Sequence, residues 1–304
     1  MDRGRFLTLD DEAVAIALGA GAEPCWAIAM GGTRRGYIAA GGTLVERDDL
    51  AAYFDWVDKA QCAVFDQLFR LGVRTLIAVD VLPADRGATY RTLAREALGR
   101  LSTTPARREL YRRHQVHVRV AGDQQALTEA LGAPELIDTF ETLARETAAA
   151  TGPRLVHLFR GPWIETATEE AAFGYRLGHE LERCPTRDEL VEAYYGLALP
   201  PLTVYVGSGR PRIGQLRPPF LGGAEDCYWT QAPLMRLSPV EWRRIMVDHL
   251  YTRRTQGARA YAMDSESRRM LSGALAEADG HILGIGARHP LGFWHAETQP
   301  APRD

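Results

Sequence analysis

Lysine is almost absent from this chain. Of its 36 basic residues, Lys59 is the only lysine, so arginine carries the positive charge. That total reflects coding composition and points to no mechanism, but the planar arginine fork suits phosphate oxygens wherever it clusters. There is also no excess of positive charge. The net charge is −3 and the pI is about 6.3, which counts against a general nucleic-acid binder. Cysteine is scarce: Cys25, Cys62, Cys184 and Cys227 are scattered, and no pair has CxxC spacing. Zinc-ribbon and dithiol redox chemistry are thereby excluded, and a reducing compartment is expected. No apolar run approaches the ~20 residues of a membrane span. The opening stretch MDRGRFLTLDDEA has no apolar leader core. Cytoplasmic localisation is expected, with any oily substrate met from the aqueous side. Proline-rich linkers and internal repeats are missing too, so residues 1–304 are expected to form one domain, with an ordered core over about 25–297 and disorder after Gln299.

What remains is an ordinary globular composition, 46% apolar and 25% charged, enough for a sizeable core. Short apolar runs alternate with longer amphipathic ones. Residues 25–30 (CWAIAM), 73–81 (VRTLIAVDV), 116–120, 155–159 and 202–206 read as strands, and 282–286 as a last strand or a turn. Helical spacing of apolar residues covers 48–71, where Gly72 supplies a C-cap. Further helices are expected at 90–101, 106–113, 126–150 with a break near Pro134, 168–181, 186–195 and 237–253. Thr186 and Glu189 have capping-box spacing. Strands alternating with helices predict an α/β domain with a mainly parallel sheet flanked by helices. Ligands in such sheets bind beyond the carboxyl ends of the strands.

Two of those strand ends combine glycine with arginine. One is Met30-Gly31-Gly32-Thr33-Arg34-Arg35, the other Gly207-Ser208-Gly209-Arg210-Pro211-Arg212. Glycine lets a backbone approach a ligand closely, the Thr33 hydroxyl donates, and the arginines offer charge-assisted forks. Neither turn fits a P-loop or a dinucleotide fingerprint. Singly, such turns usually only punctuate a fold. Two at one sheet edge make a candidate diphosphate pocket.

The first of these turns resembles the MDGNGRW signature of the cis-prenyltransferases. It is closer still to the DGTRRW of the tuberculosinol (tuberculosinyl adenosine) synthases, a diverged branch of that fold. The resemblance recurs in order through Leu68-Phe69-Arg70-Leu71-Gly72, Asp85-Arg86-Gly87, His114-Gln115-Val116-His117-Val118, Pro185-Thr186-Arg187, Glu192-Ala193-Tyr194-Tyr195-Gly196, Gly207-Ser208-Gly209-Arg210, Tyr228-Trp229-Thr230 and Asp248-His249-Leu250-Tyr251. Gly284-Ile285-Gly286 sits in a similar C-terminal segment, and the likeness spans roughly residues 25 to 297. Each motif is weak alone, and the collinear series is specific.

The resemblance implies a parallel sheet with an apolar tunnel for a prenyl chain, a diphosphate site at its mouth, and a homodimer. It implies an isoprenoid diphosphate as substrate, in the tuberculosinol branch an allylic one, either a cyclised C20 or a linear C15–C20 diphosphate. That substrate is ionised, and the cation is captured by water or a purine nitrogen, or loses a proton. By matching positions, Gly32, Thr33, Arg34, Arg35, Arg86, Arg210 and Arg212 would hold the diphosphate. Tyr53, with Arg34 and Arg35, would be catalytic. Trp163, after a strand end, is the best candidate among the aromatics to line a terpenoid pocket.

One departure stands out. Where both branches carry an aspartate for magnesium-dependent loss of diphosphate, this chain has Gly31, which offers no ligand. Asp226 matches a second acidic metal ligand of the elongating enzymes. Asp80 and Asp85, near the end of the second strand, are alternatives, and arginines alone are a third. The sequence does not choose among them, so Mg2+ is a candidate cofactor with weakened dependence. Gly31 also motivates a rival reading, a non-catalytic accessory subunit or terpenoid carrier. Chain elongation is a further alternative, opposed by Gly31 and by Val206, where elongating enzymes place an arginine. His114 and His117, three apart on a strand, would face opposite sides and are expected to be structural.

Overall fold

A strand packed between two helical layers must be apolar at every position. Cys25–Ala29 meets that demand: it forms β1 and all five residues are buried. The computed structural model describes residues 3–21, 23–43, 49–81, 88–160, 166–211, 216–253, 264–278, 285–290 and 294–296. The segment after Gln299 lies outside them. The strands that follow are β2 (Thr75–Val81), β3 (His117–Ala121), β4 (Arg154–Arg160), β5 (Val204–Ser208) and β6 (Asp226–Thr230). They form one sheet in the order β3-β4-β2-β1-β5-β6, every neighbour parallel. β7 (Gly286–Arg288) and β8 (Trp294–Ala296) make a separate antiparallel pair.

Strand alternation divides the core. Trp26, Ile28, Leu76, Ala78, Leu155 and Val206 point to one face. Cys25, Ala27, Ile77, Val79, Val156 and Tyr205 point to the other. The first face is covered by α4 (Asp49–Arg70), α5 (Ala88–Thr103), α6 (Pro105–His114) and α11 (Pro239–Val247), which contribute Phe65, Leu68, Leu98, Leu110 and Trp242. Phe65 and Leu68 are wholly buried, worth about 1.5–3 kcal/mol each. Val191 and Tyr195 of α10 (Arg187–Tyr195) cover the second face, with α9 (Thr166–Leu181) beside that helix.

Helix ends follow the local chemistry. Gly72 takes φ +94°, and the Val73 N–H donates to the Leu68 carbonyl at 3.0 Å, turning the chain sharply from α4 into β2. Thr186 and Glu189 form the expected capping box on α10. Pro134 separates α7 (Gln124–Leu131) from α8 (Glu135–Glu146). His114 ends α6 with a 2.7 Å contact to Asp66, whereas His117 opens β3, so the two histidines serve different elements.

Three features differ from expectation. Helices α1 (Arg3–Leu7) and α2 (Asp11–Gly19) precede β1, and their Phe6, Val14 and Leu18 join the core below residue 25. Arg243 of α11 fastens this segment by an ion pair to Asp11 at 2.6 Å. The helix expected over 237–253 is α11 followed by a π-helical turn, Asp248–Thr252. A helix α12 (Ser265–Ala278) follows, which the apolar periodicity did not mark.

Candidate active site

Parallel pairing gathers the carboxyl ends of the strands along one edge, and β1 and β5 are neighbours there. Their glycine-rich turns touch: the Ser208 hydroxyl donates to the Gly31 carbonyl at 3.5 Å. At the β5 turn, Gly209 takes φ +78° and its N–H donates to the Thr230 carbonyl at 2.8 Å, tying the ends of β5 and β6 together. Gly207 is required by its surroundings, since a Cβ there would lie 2.7 Å from the Trp229 ring nitrogen.

At the β1 turn Gly32 takes φ +83° and opens α3 (Thr33–Ala39). Any side chain at Gly32 would be strained in backbone and pressed on Pro233. Gly36 lets α3 lie against α4, because a Cβ there would be 2.9 Å from the Trp56 ring. This close approach brings Thr33 to Tyr53, and their hydroxyls are 2.7 Å apart. Tyr53 is buried and packs edge-on to Tyr37 at 5.5 Å and against Phe54 at 5.3 Å. Burial pushes the Tyr53 phenol up, opposed by the Thr33 hydrogen bond and by Arg34, and reinforced by Asp80. The phenol therefore keeps its proton at neutral pH.

Arg34, Arg35 and Arg210 are exposed on this edge. Neither Arg34 nor Arg210 has an ion-pair partner among the described residues. Arg35 folds back over the turn, its Nη2 3.7 Å from where a Gly32 Cβ would stand. The structure thus brings together Gly32, Thr33, Arg34, Arg35, Tyr53 and Arg210. Arg86, Trp163 and Arg212, with Asp85, lie outside the described residues.

Asp226 is not brought to this edge, and its assignment to a metal there is corrected. It starts β6 in register with Val204, while Thr230 ends the strand beside Ser208. Four residues of strand put it about 13 Å from the turns. Its carboxylate instead meets His249 Nδ1 at 2.6 Å and Arg253 at 3.5 Å. Arg253 also bonds Asp248 at 2.7 Å and lies over the Tyr228 ring. Gly31 supplies no side chain, and no three His, Cys, Asp or Glu residues converge among the described residues. Among the described residues, no cluster of carboxylates stands at these turns to hold Mg2+.

Sequence reasoning missed a buried polar group beneath the turns. Asp58 of α4 accepts from Arg107 Nε at 2.8 Å and Arg100 Nε at 2.6 Å, and Arg107 Nη2 reaches Gln61 at 2.5 Å. His157 of β4 lies nearby, its Nε2 unpartnered, and burial followed by Arg107 pushes it well below its ordinary value. Asp80 points to this same face, since it alternates with Leu76 and Ala78 along β2. Burial raises its carboxyl to about 6 against the pull of Arg107. Of these residues the sequence singles out only Asp80, a carboxylate inside an otherwise apolar strand, and as a metal alternative. A surface hollow of about 380 Å³ between Tyr111, Gln115 and Thr147 lies at the opposite, amino-terminal end of β3.

No family model matches the chain. It is 28% identical over 240 residues to the tuberculosinyl adenosine transferase of Mycobacterium tuberculosis, covering 77% of this chain and 79% of that one. It is 27% identical over 259 residues to the (+)-kolavelool synthase of Herpetosiphon aurantiacus, covering 81% of each. Among solved structures it is similar to a probable undecaprenyl diphosphate synthase from Campylobacter jejuni, with TM-score 0.53 and 14% identity over 78% of this chain and 100% of that one. Lavandulyl diphosphate synthase from Lavandula x intermedia, in complex with dimethylallyl diphosphate, gives TM-score 0.54 and 14% identity over 74% and 94%. The fold is that of the cis-prenyltransferases.

Proposed function

We propose that this chain, built on the cis-prenyltransferase fold, ionises an allylic prenyl diphosphate of the cyclic C20 class and releases an alcohol, an olefin or an adduct. The observation that carries this reading is the meeting of two glycine-arginine turns beside a buried, protonated tyrosine. Both similar enzymes bear the names of diterpene-processing proteins, which supports a C20 substrate. As the carbon–oxygen bond breaks, negative charge grows on the diphosphate. Arg34, Arg35 and Arg210, exposed on this edge, are the charges that would neutralise it. Tyr53, hydrogen-bonded to Thr33, presents its ring and hydroxyl where the cation forms, and an aromatic face stabilises a cation. No step is assigned to magnesium, and a homodimer is the proposed assembly.

The test is incubation of the purified protein with geranylgeranyl, labdanyl and halimanyl diphosphates, with assay of released diphosphate and extracted terpenoids. Arg34→Ala should lower turnover by about 10²–10³-fold, the effect of losing one preorganised donor. Absence of any product from all three substrates sinks the reading. Gly31 favours a second reading, a non-catalytic terpenoid-diphosphate carrier. Tight diphosphate binding without turnover, relieved by a partner protein, would establish that alternative.

A further inference from the structure

Direct contacts join Tyr53 to a buried ionic cluster. Its ring packs on Phe54 at 5.3 Å, and the Arg100 guanidinium lies over the Phe54 ring at 5.9 Å. Arg100 Nε donates to one oxygen of Asp58 at 2.6 Å, and Arg107 Nε donates to the other at 2.8 Å. Arg107 Nη2 goes on to Gln61, and Arg100 also pairs with Asp55. Arg100 stands in the last turn of α5 and Arg107 in the first turn of α6, with Thr104 at the break between them. One carboxylate of α4 thus holds both sides of the α5–α6 corner. Asp58 and Arg107 are 4% and 2% exposed, so bulk water and salt do little to screen them.

The cluster has a definite depth. α4 passes the first arginine turn at Tyr53 and ends at Gly72, where the chain enters β2 at the amino-terminal edge of the sheet. It therefore runs inward from the arginine turns. Asp58 lies about 7.5 Å beyond Tyr53, at 1.5 Å per helical residue. Deeper still, the gap between helix and sheet is closed, with the buried Phe65 ring edge-on to His157 at 6.1 Å. An extended geranylgeranyl chain is on the order of 20 Å long at ordinary carbon–carbon bond lengths. A hydrocarbon that follows α4 inward from Tyr53 meets the cluster well before that. Pushing through it would part Asp58 from its arginines and leave a charge buried and unpaired. Arg107 Nη1 already lacks a partner among the described residues, so an apolar neighbour offers it nothing.

We propose that Asp58, Arg100 and Arg107 form the floor of the terpenoid pocket and select a compact, ring-closed C20 skeleton over an extended chain, an inference that rests on the reading of the site as a prenyl-diphosphate ioniser. A fused bicycle folds the same carbons into a much shorter body. The ion pairs make the floor stiff. An apolar floor containing methionine yields to a longer guest by changing rotamer. A shared carboxylate gives way only by losing both partners. None of the three residues is assigned to the reacting carbon, and their part is specificity.

The test compares wild type with Asp58→Ala/Arg107→Ala, which lowers the floor, and with Asp58→Leu/Arg107→Met, which fills it with apolar atoms. Both remove the pair together and leave Arg100 its bond to Asp55. Circular dichroism checks folding. The readout is the ratio of kcat/KM for geranylgeranyl diphosphate to that for halimanyl diphosphate, which a general loss of stability does not move. Wild type should favour the bicyclic substrate. The ratio should rise at least about tenfold in the alanine pair, the scale on which a pocket wall discriminates. In the Leu/Met pair it should rise about threefold, which decides the matter if the alanine pair does not fold. A second measurement needs no turnover: calorimetric titration with the slow-reacting S-thiolodiphosphates of the same two terpenoids. Wild type should bind the bicyclic analogue at least about tenfold more tightly, and either double variant should shrink that preference. An unchanged ratio in a folded variant, or a wild type that takes the linear chain as readily as the bicycle, overturns the floor. Failure of the underlying reading looks different: no terpenoid product from any substrate, while the two analogues still bind in the stated order.

Discussion

Replacing Asp80 with asparagine should make the folded protein more stable at neutral pH. The cause is the cost of keeping a carboxylate charged inside the α4 face of the sheet. Burial moves its carboxyl from 3.8 to about 6, with Arg107 already counted in that value. Between those two pH values the folded chain holds a proton that the unfolded chain has released. Stability therefore falls as pH rises through that window and is level above it. At 1.36 kcal/mol per pH unit, the charged form costs the fold about 3 kcal/mol at pH 7–8. Some solvent access at the strand end makes this an upper figure. Asparagine never ionises, so the variant escapes the whole effect. At about 2 °C per kcal/mol for a chain of this size, its melting temperature should exceed that of wild type by about 4–6 °C at pH 8. The gap should close as pH drops towards 4. The assay is a set of thermal and urea melts of both proteins at several pH values from 4 to 8. Equal stability at pH 8, or a gap that does not shrink on acidification, would refute the placement of a charged Asp80 in the interior.

Other perturbations separate the remaining roles. Asp58→Leu strands the buried Arg107 and should cost about 3–5 kcal/mol in a urea melt, whereas Asp58→Leu with Arg107→Met should recover most of it; a double variant no better than the single would show that the pair is not a unit. Wild type should keep terpenoid formation in EDTA, while Gly31→Asp should become sensitive to the chelator. The new side chain fits, since a Cβ at Gly31 meets only Ser208 Oγ at 3.6 Å. Complete loss of wild-type activity in EDTA would overturn the view that arginines neutralise the leaving group. Tyr53→Phe keeps the ring contacts and loses the bond to Thr33, so kcat should drop about tenfold with little change in melting temperature. Tyr53→Ala, which also removes the ring, should be far slower, and equal rates for the two would deny the ring any part in catalysis.

The arrangement of the turns was legible because its causes are local. A five-residue apolar strand followed by glycines and arginines marks a strand end, and parallel pairing puts every such end on one edge. Tyr53 was found by counting back from the Gly72 cap, and α4 is regular enough that the count landed beside Thr33. Asp226 went astray because a motif has no direction of its own. Its place in the chain next to Tyr228-Trp229-Thr230 is near the site, but β6 runs away from it, and only Thr230 arrives at the edge. Asp58 and Arg107 were invisible for another reason. Charged residues at helical spacing look like a solvated face, and only packing α4 on α6 turns them inward to each other. Asp80 was noticed as a metal candidate, and the alternation of β2 puts it on the face of the sheet that α4 covers.

The backbone contact that seats β5 beside β1 joins Thr203 to Cys25, and it has a consequence for how the molecule is made. Its two partners lie 178 residues apart. A ribosome adding 5–20 residues per second leaves β1 waiting about 10–35 s for the strand that completes its second edge. Through that interval CWAIA can pair with β2 on one side while its other edge stays open, the kind of edge that pairs with the wrong neighbour. Closing so long a loop is also slow in a chain refolded from denaturant. The arginine turns should thus meet only late, when helix and sheet signals are already in place. Refolded protein should recover its circular dichroism before it recovers diphosphate binding.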